Sequence, residues 1–152
     1  MTTRPLTEED LDWLAAMELE SFESPWTIEG LRGELSAAFG LAIAALDEDG
    51  EPLGFVLARS LYEDAHLLKI AITPARRGQG LGRSLLAAYE ESARHRGAAL
   101  SIVDVRVGNE AAKALYLGAG YRIVANRPRY YTNGEDALLM FKDLDPADPV
   151  NP

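Results

Sequence analysis

The chain has 152 residues with 47% apolar content and a formal net charge of −9, enough for one domain with a real core. The acidic balance argues against nucleic-acid binding, which needs a basic surface to neutralise phosphates, and is compatible with solubility or with attraction of amines and basic peptides. Cysteine is absent and histidine occurs only as His66 and His95, which removes disulfides, thiolate zinc sites and a cysteine nucleophile, and leaves no convincing metal site.

The N-terminal segment lacks the apolar run of a signal peptide, and no stretch approaches the roughly 20 apolar residues of a membrane span, so a cytoplasmic location is expected. Thr7 followed by Glu8, Glu9 and Asp10 reads as a helix cap with an acidic first turn. The stripe that follows is Leu11, Leu14, Ala15 and either Met17 or Leu19. Ser24-Pro25-Trp26 breaks the chain, and Thr27 caps a second expected helix to about Ala38.

Three strands are expected next: Gly40–Leu46, Leu53–Leu61 and Ala65–Thr73. The first two are joined by the acidic turn Asp47-Glu48-Asp49-Gly50, and Pro74 stops the third. A glycine-rich turn leads into a helix from about Gly82 to Arg96, closed by Gly97. Leu100–Arg106 is a strand, Asn109 opens a helix to about Leu117, and Tyr121–Asn126 and Ala137–Lys142 form a final strand pair. The order predicts an α/β domain with a mixed sheet over residues 1–143. Residues 144–152 fall in a Pro- and Asp-rich tail expected to be disordered.

The turn Arg76-Arg77-Gly78-Gln79-Gly80-Leu81-Gly82-Arg83-Ser84 carries the most chemistry. It lies between a strand and a helix start, where free N–H groups and the positive dipole end suit an anion. The glycines allow close backbone approach to a diphosphate, and Arg77 and Arg83 add charge. It is not a P-loop, since it has no lysine, and it lacks the third glycine of a dinucleotide fingerprint, although Asp104 falls about 20 residues downstream as that motif would require.

Arg77-Gly78-Gln79-Gly80-Leu81-Gly82 resembles the diphosphate-binding Arg/Gln-x-x-Gly-x-Gly/Ala motif of the GNAT acetyltransferases. Two further stretches agree in order and spacing. Val105 to Tyr116 with Gly118-Ala119-Gly120-Tyr121 is similar to the family's strand–Asn–helix–Tyr segment. Phe22 to Thr27, Tyr130-Tyr131 and Glu135-Asp136-Ala137 resemble the ribosomal-protein-alanine N-acetyltransferases. Asp104 stands where that subgroup has Glu, and Gly108 where it usually has Ser.

The resemblance implies a single-domain, mostly antiparallel sheet flanked by helices, with two splayed strands forming a cleft for acetyl-CoA. It implies contacts to that molecule from Ile70, Ala71, Ile72, Arg77, Gly78, Gln79, Gly80, Leu81, Gly82, Arg83, Ser84, Asn109 and Tyr116. Tyr116 becomes the acid that protonates the leaving thiolate and Asp104 the base, working through a water. Pro25, Trp26, Tyr130 and Tyr131 flank the acceptor. Read as residues alone, Ile70–Ile72 are buried strand, Asn109 a helix cap, Tyr116 a core aromatic, Asp104 a partner for a nearby arginine such as Arg106, and the four loop residues hydrophobic plugs. The expected activity is direct acetyl transfer to a primary amine, an N-terminal α-amine before a small-molecule amine, with no metal. The rival without turnover is an acyl-CoA-binding sensor.

Overall fold

A computed structural model of the chain describes residues 1–145. It opens with an unexpected strand, β1 (Thr2–Pro5), paired antiparallel to β2 (Gly40–Leu46) along the sheet edge. All four β1 residues are exposed, so no apolar alternation announced it. Two residues after this strand, the Thr7 N–H donates to the Asp10 carboxylate at 2.8 Å, which closes a 3-10 turn over Glu8–Asp10 before α1 (Leu11–Ser21). The α1 stripe is Leu11, Leu14 and Met17; Leu19 is 71% exposed.

Helix α2 (Ile28–Leu35) begins where expected, with the Thr27 hydroxyl accepting the Gly30 N–H at 3.1 Å. It stops short of Ala38 because the Ser36 hydroxyl turns back onto the carbonyls of Arg32 and Gly33. Strands β2, β3 (Pro52–Leu61) and β4 (Asp64–Ile72) then form the expected meander. The β2–β3 turn is held by the Asp47 carboxylate, which accepts N–H groups from Asp49 and Glu51. Helix α3 (Leu81–His95), strand β5 (Leu100–Arg106), helix α4 (Glu110–Gly118) and strands β6 (Arg122–Arg127) and β7 (Ala137–Asp143) complete the chain.

The sheet order is β1-β2-β3-β4-β5-β7-β6, and every neighbouring pair is antiparallel except β4 and β5. The α/β class and the mostly antiparallel, helix-flanked sheet are as expected. One face packs Leu85, Leu86 and Tyr89 of α3 and Tyr116 of α4 against Val56, Leu67, Val103 and Met140. The other packs Leu14, Met17 and Leu31 of α1 and α2 against Phe55, Leu57 and Ala71. Tyr121 is buried, and the Ser101 hydroxyl bridges its hydroxyl and that of Tyr89 at 2.8 and 2.9 Å.

The fold takes in two residues of the expected tail. Leu144 is buried and its N–H donates to the Ala99 carbonyl, and the Asp145 carbonyl accepts from Arg94. The remainder of the expected tail, 146–152, lies outside the described residues.

Candidate active site

Strands β4 and β5 pair in parallel from Asp64–Leu100 to Leu67–Val103 and no further. The separation starts at an irregularity: Leu57 and Ala58 of β3 oppose Lys69 and Leu67, so Leu68 is an extra residue that bends β4. Beyond it, the edges of Leu68–Ile72 and Asp104–Arg106 that face one another have no ladder between them. Backbone groups so exposed require another partner. A cleft of about 570 Å³ fills the opening.

At one end of the cleft lies the glycine-rich turn. Gly78 and Gly80 both have φ of +78°, the left-handed region that favours glycine, and neither has an atom within 4 Å of where a Cβ would sit. Gly80 caps α3 without a side chain, so the first N–H groups of that helix are uncovered. Gly78, Gly80, Leu81 and Gly82 line the cleft with Arg77. Arg77 is also a brace: its Nε donates to the Ile72 carbonyl at 2.9 Å and its Nη2 to the Ser21 hydroxyl at 3.2 Å. Three residues of the motif are turned elsewhere. Arg83 donates to the Gly118 carbonyl at the end of α4, Gln79 accepts from Arg76, and the Ser84 hydroxyl returns to the Gly80 carbonyl. Arg76, passed over in the sequence, lines the cleft in their place.

Ile70, Ala71 and Ile72 line the β4 wall, and Asn109 and Tyr116 the opposite one. The Asn109 Oδ1 caps α4 by accepting the Ala112 N–H at 3.0 Å, and its Nδ2 makes no hydrogen bond among the described residues. Tyr116 is buried and meets Tyr121 edge-on, with centroids 5.4 Å apart. Burial pushes its phenol well above the ordinary tyrosine range, so it stays protonated.

Asp104 also lines the cleft. Its neighbours Val103 and Val105 point into the core beneath α3 and α4, so by strand alternation Asp104 lies on the α1/α2 face. It does not pair with Arg106. Its Oδ2 lies 3.4 Å from His66 Nε2, and its Oδ1 lies 3.6 Å from Arg127 Nε, is buried, and has no hydrogen-bond partner. The Arg106 guanidinium instead covers the Tyr131 ring at 4.9 Å and reaches Glu23 at 3.6 Å.

The expected acceptor residues are divided. Tyr131 lines the cleft, and burial together with the nearby Asp104 charge pushes its phenol up to about 12. Tyr130 is half exposed, beside Arg127. Trp26 stands behind the wall, its ring 4.5 Å from Lys69 Nζ, and Pro25 does not border the cleft. The actual borders of this end include Phe22, Ser24, Lys69 and Arg106. Lys69 was not singled out in the sequence because a lone cation in an apolar strand carries no signal until its partner is known.

Among the described residues, no cluster of His, Asp or Glu could hold a metal, and no helix is long and apolar enough to cross a membrane. The profile of the Acetyltransferase (GNAT) family matches residues 8–121. The [ribosomal protein bS18]-alanine N-acetyltransferase of Escherichia coli (strain K12) is 32% identical over 145 residues, covering 91% of this chain and 95% of its own. The N-alpha-acetyltransferase RimI of Mycobacterium tuberculosis is 31% identical, covering 94% of this chain and 92% of its own. The crystal structure of the ribosomal-protein-S18-alanine N-acetyltransferase from Escherichia coli superimposes with a TM-score of 0.87 at 29% identity, covering 97% of this chain and 96% of that one.

Proposed function

The chain belongs to the GNAT acetyltransferase family, and from that premise we propose that it carries an acetyl group from acetyl-CoA directly to the N-terminal α-amine of a protein or peptide. It is an N-acetyltransferase acting on an amine. The observation that carries the proposal is the end of β4–β5 pairing at Leu67 and Val103, which opens the sheet onto a cleft running to the start of α3.

The residues present suit acetyl-CoA. The free β4 edge at Ile70–Ile72 can pair with the amides of its pantetheine arm as an added strand would. The uncovered N–H groups at the start of α3, with Gly78 and Gly80 open beside them, suit its diphosphate. Arg76 adds positive charge there, and Asn109 Nδ2 is a donor for the arm. The thioester supplies the activated acetyl group. The chain has no cysteine to carry it, so transfer is direct.

Asp104 and Tyr116 divide the proton chemistry. Asp104 takes a proton from the acceptor ammonium, through a water because aspartate is one methylene shorter than the subgroup's glutamate. Tyr116, held protonated by burial, donates toward the departing sulfur. A peptide α-amine, with a pKa near 8 against about 10.4 for lysine, needs the weaker base and favours an N-terminal acceptor. Two connections, carrying Phe22 and Ser24 on one side and Tyr131 on the other, border the acceptor end and suit an extended peptide. The cytoplasmic setting expected from the sequence is part of the same reading.

The test is acetyl-CoA turnover against a panel of N-terminal hexapeptides, free polyamines and an N-terminally blocked lysine peptide, with release of the coenzyme A thiol as the readout. Strong activity on hexapeptides with a small first residue supports the proposal. Activity confined to polyamines or to lysine overturns the acceptor assignment.

A further inference from the structure

We propose that His66 is a positioning residue for Asp104 and the exit for the proton that the acceptor amine sheds. The proposal rests on the reading of Asp104 above. An alkylammonium carries three N–H protons and the amide product one. One of the two lost ends on the sulfur of coenzyme A, and the other must reach solvent. Asp104 cannot pass it directly, because its side chain is only 10% exposed.

His66 connects that carboxylate to water. Its Nε2 lies 3.4 Å from Asp104 Oδ2, while its side chain is 41% exposed. The distance is long for a hydrogen bond and short for an ion pair, so a small approach of the ring completes the contact. Asp104 itself lines the cleft, so its carboxylate is within reach of a water there while Oδ2 faces His66. Parallel pairing sets His66 opposite Ile102, two residues before Asp104 on β5, and alternation brings the two side chains to one face. Only the β4–β5 register creates this contact.

The transfer balances. The ammonium gives its proton through water to the Asp104 carboxylate. The carboxylic acid passes it to Nε2 of a neutral imidazole whose Nδ1 carries the hydrogen. The imidazolium releases it to solvent, and both residues return to their starting forms. The other charges nearby do not replace His66. Arg127 on β6 lies 3.6 Å from Oδ1, but a guanidinium accepts no proton. Arg59, opposite His66 on β3, is held by Glu34 of α2 at 2.8 Å, and Lys69 on β4 is held by Glu18 of α1. Tyr131, raised by burial and by Asp104, stays neutral.

The experiment measures kcat and KM for an N-terminal hexapeptide from about pH 5 to 9 in wild type, His66→Gln, Asp104→Asn and the double variant. Acetyl-CoA affinity by calorimetry and the thermal midpoint are measured alongside. The proposal expects His66→Gln to lower kcat about tenfold at pH 7, a fraction of the full acid–base contribution, with acetyl-CoA affinity and midpoint unchanged. It expects the pH profile of kcat to lose a limb in His66→Gln that wild type shows. Added imidazole restores activity to His66→Gln, and the double variant is no worse than Asp104→Asn. A His66→Gln protein with the wild-type profile overturns the proposal. So does a uniform loss at every pH that imidazole does not rescue. With wild type active, either result removes the role of His66 and leaves the N-terminal acceptor assignment intact; a wild type that acetylates no peptide overturns that assignment and this proposal with it.

Discussion

Lys69 of β4 and Glu18 of α1 form an ion pair, Nζ to Oε2 at 2.8 Å, with Glu18 fully buried and Lys69 11% exposed. The same Oε2 accepts the backbone N–H of Trp26 at 3.0 Å, and the rings of Phe22 and Trp26 enclose the ammonium at 4.4 and 4.5 Å. One carboxylate thus ties the connection after α1 to the strand that lines the cleft. Burial pulls the Lys69 pKa below its ordinary value, against the opposing pull of Glu18.

Breaking this pair from one side leaves an uncompensated, largely buried charge. Glu18→Ala should cost about 3–5 kcal/mol, measured by urea denaturation. It also frees the Trp26 N–H, so the peptide KM should rise more than the acetyl-CoA dissociation constant. A loss below about 1 kcal/mol would show that the pair is solvated.

Gly82 separates folding from binding. It has no positive φ, and a Cβ there would meet Ile72 Cγ1 at 3.9 Å and Leu115 Cδ2 at 4.0 Å, both ordinary contacts. Gly82→Val should therefore fold, with the larger side chain entering the cleft at the helix start. Acetyl-CoA affinity should fall by about tenfold or more in calorimetry, as expected if uncovered N–H groups there bind the diphosphate. Unchanged affinity in the folded variant would remove that turn from the site.

Tyr116→Phe should leave stability within about 0.5 kcal/mol of wild type, because its hydroxyl makes no hydrogen bond among the described residues. Its effect should fall on kcat, by about a hundredfold, with acetyl-CoA affinity unchanged. Since burial raises the phenol above its usual range, the wild-type rate should not decline through Tyr116 ionisation below about pH 10. Steady-state rates across pH for both proteins test both statements, and a variant with normal turnover returns Tyr116 to the core.

Acid stability should depend on Asp10. Arg4 donates to both of its oxygens at 2.8 Å, and Thr7 N–H and the Trp13 indole add donors. The Arg4 contact holds the carboxyl well below the usual range, with burial opposing. A depressed folded-state value means this stabilisation is present above the unfolded value near 4 and fades as pH falls below it. Asp10→Asn should cost about 2 kcal/mol at pH 7 and progressively less below pH 4, followed by thermal melts. An equal cost at pH 3 and pH 7 would mean that hydrogen bonds rather than charge hold the contact.

Much of this protein is determined by local sequence. Alternating and helical apolar patterns mark the strands and helices, because each element must show its apolar side to a core. The turn Arg76–Ser84 is legible as one suited to an anion, since glycine tolerance and free helix N–H groups are properties of neighbouring residues. The exposed edge strand Thr2–Pro5 has no such pattern and is held by pairing with β2. The cleft itself is a tertiary result. It exists because a bulge at Leu68 ends the pairing of two strands separated in sequence by the whole of α3. That register also decides which charges meet: Asp104 faces His66 and Arg127 rather than its near neighbour Arg106, and Lys69 finds Glu18 from 51 residues away. Side-chain chemistry is written residue by residue, but which charge neutralises which is settled only when distant segments share one face of the sheet.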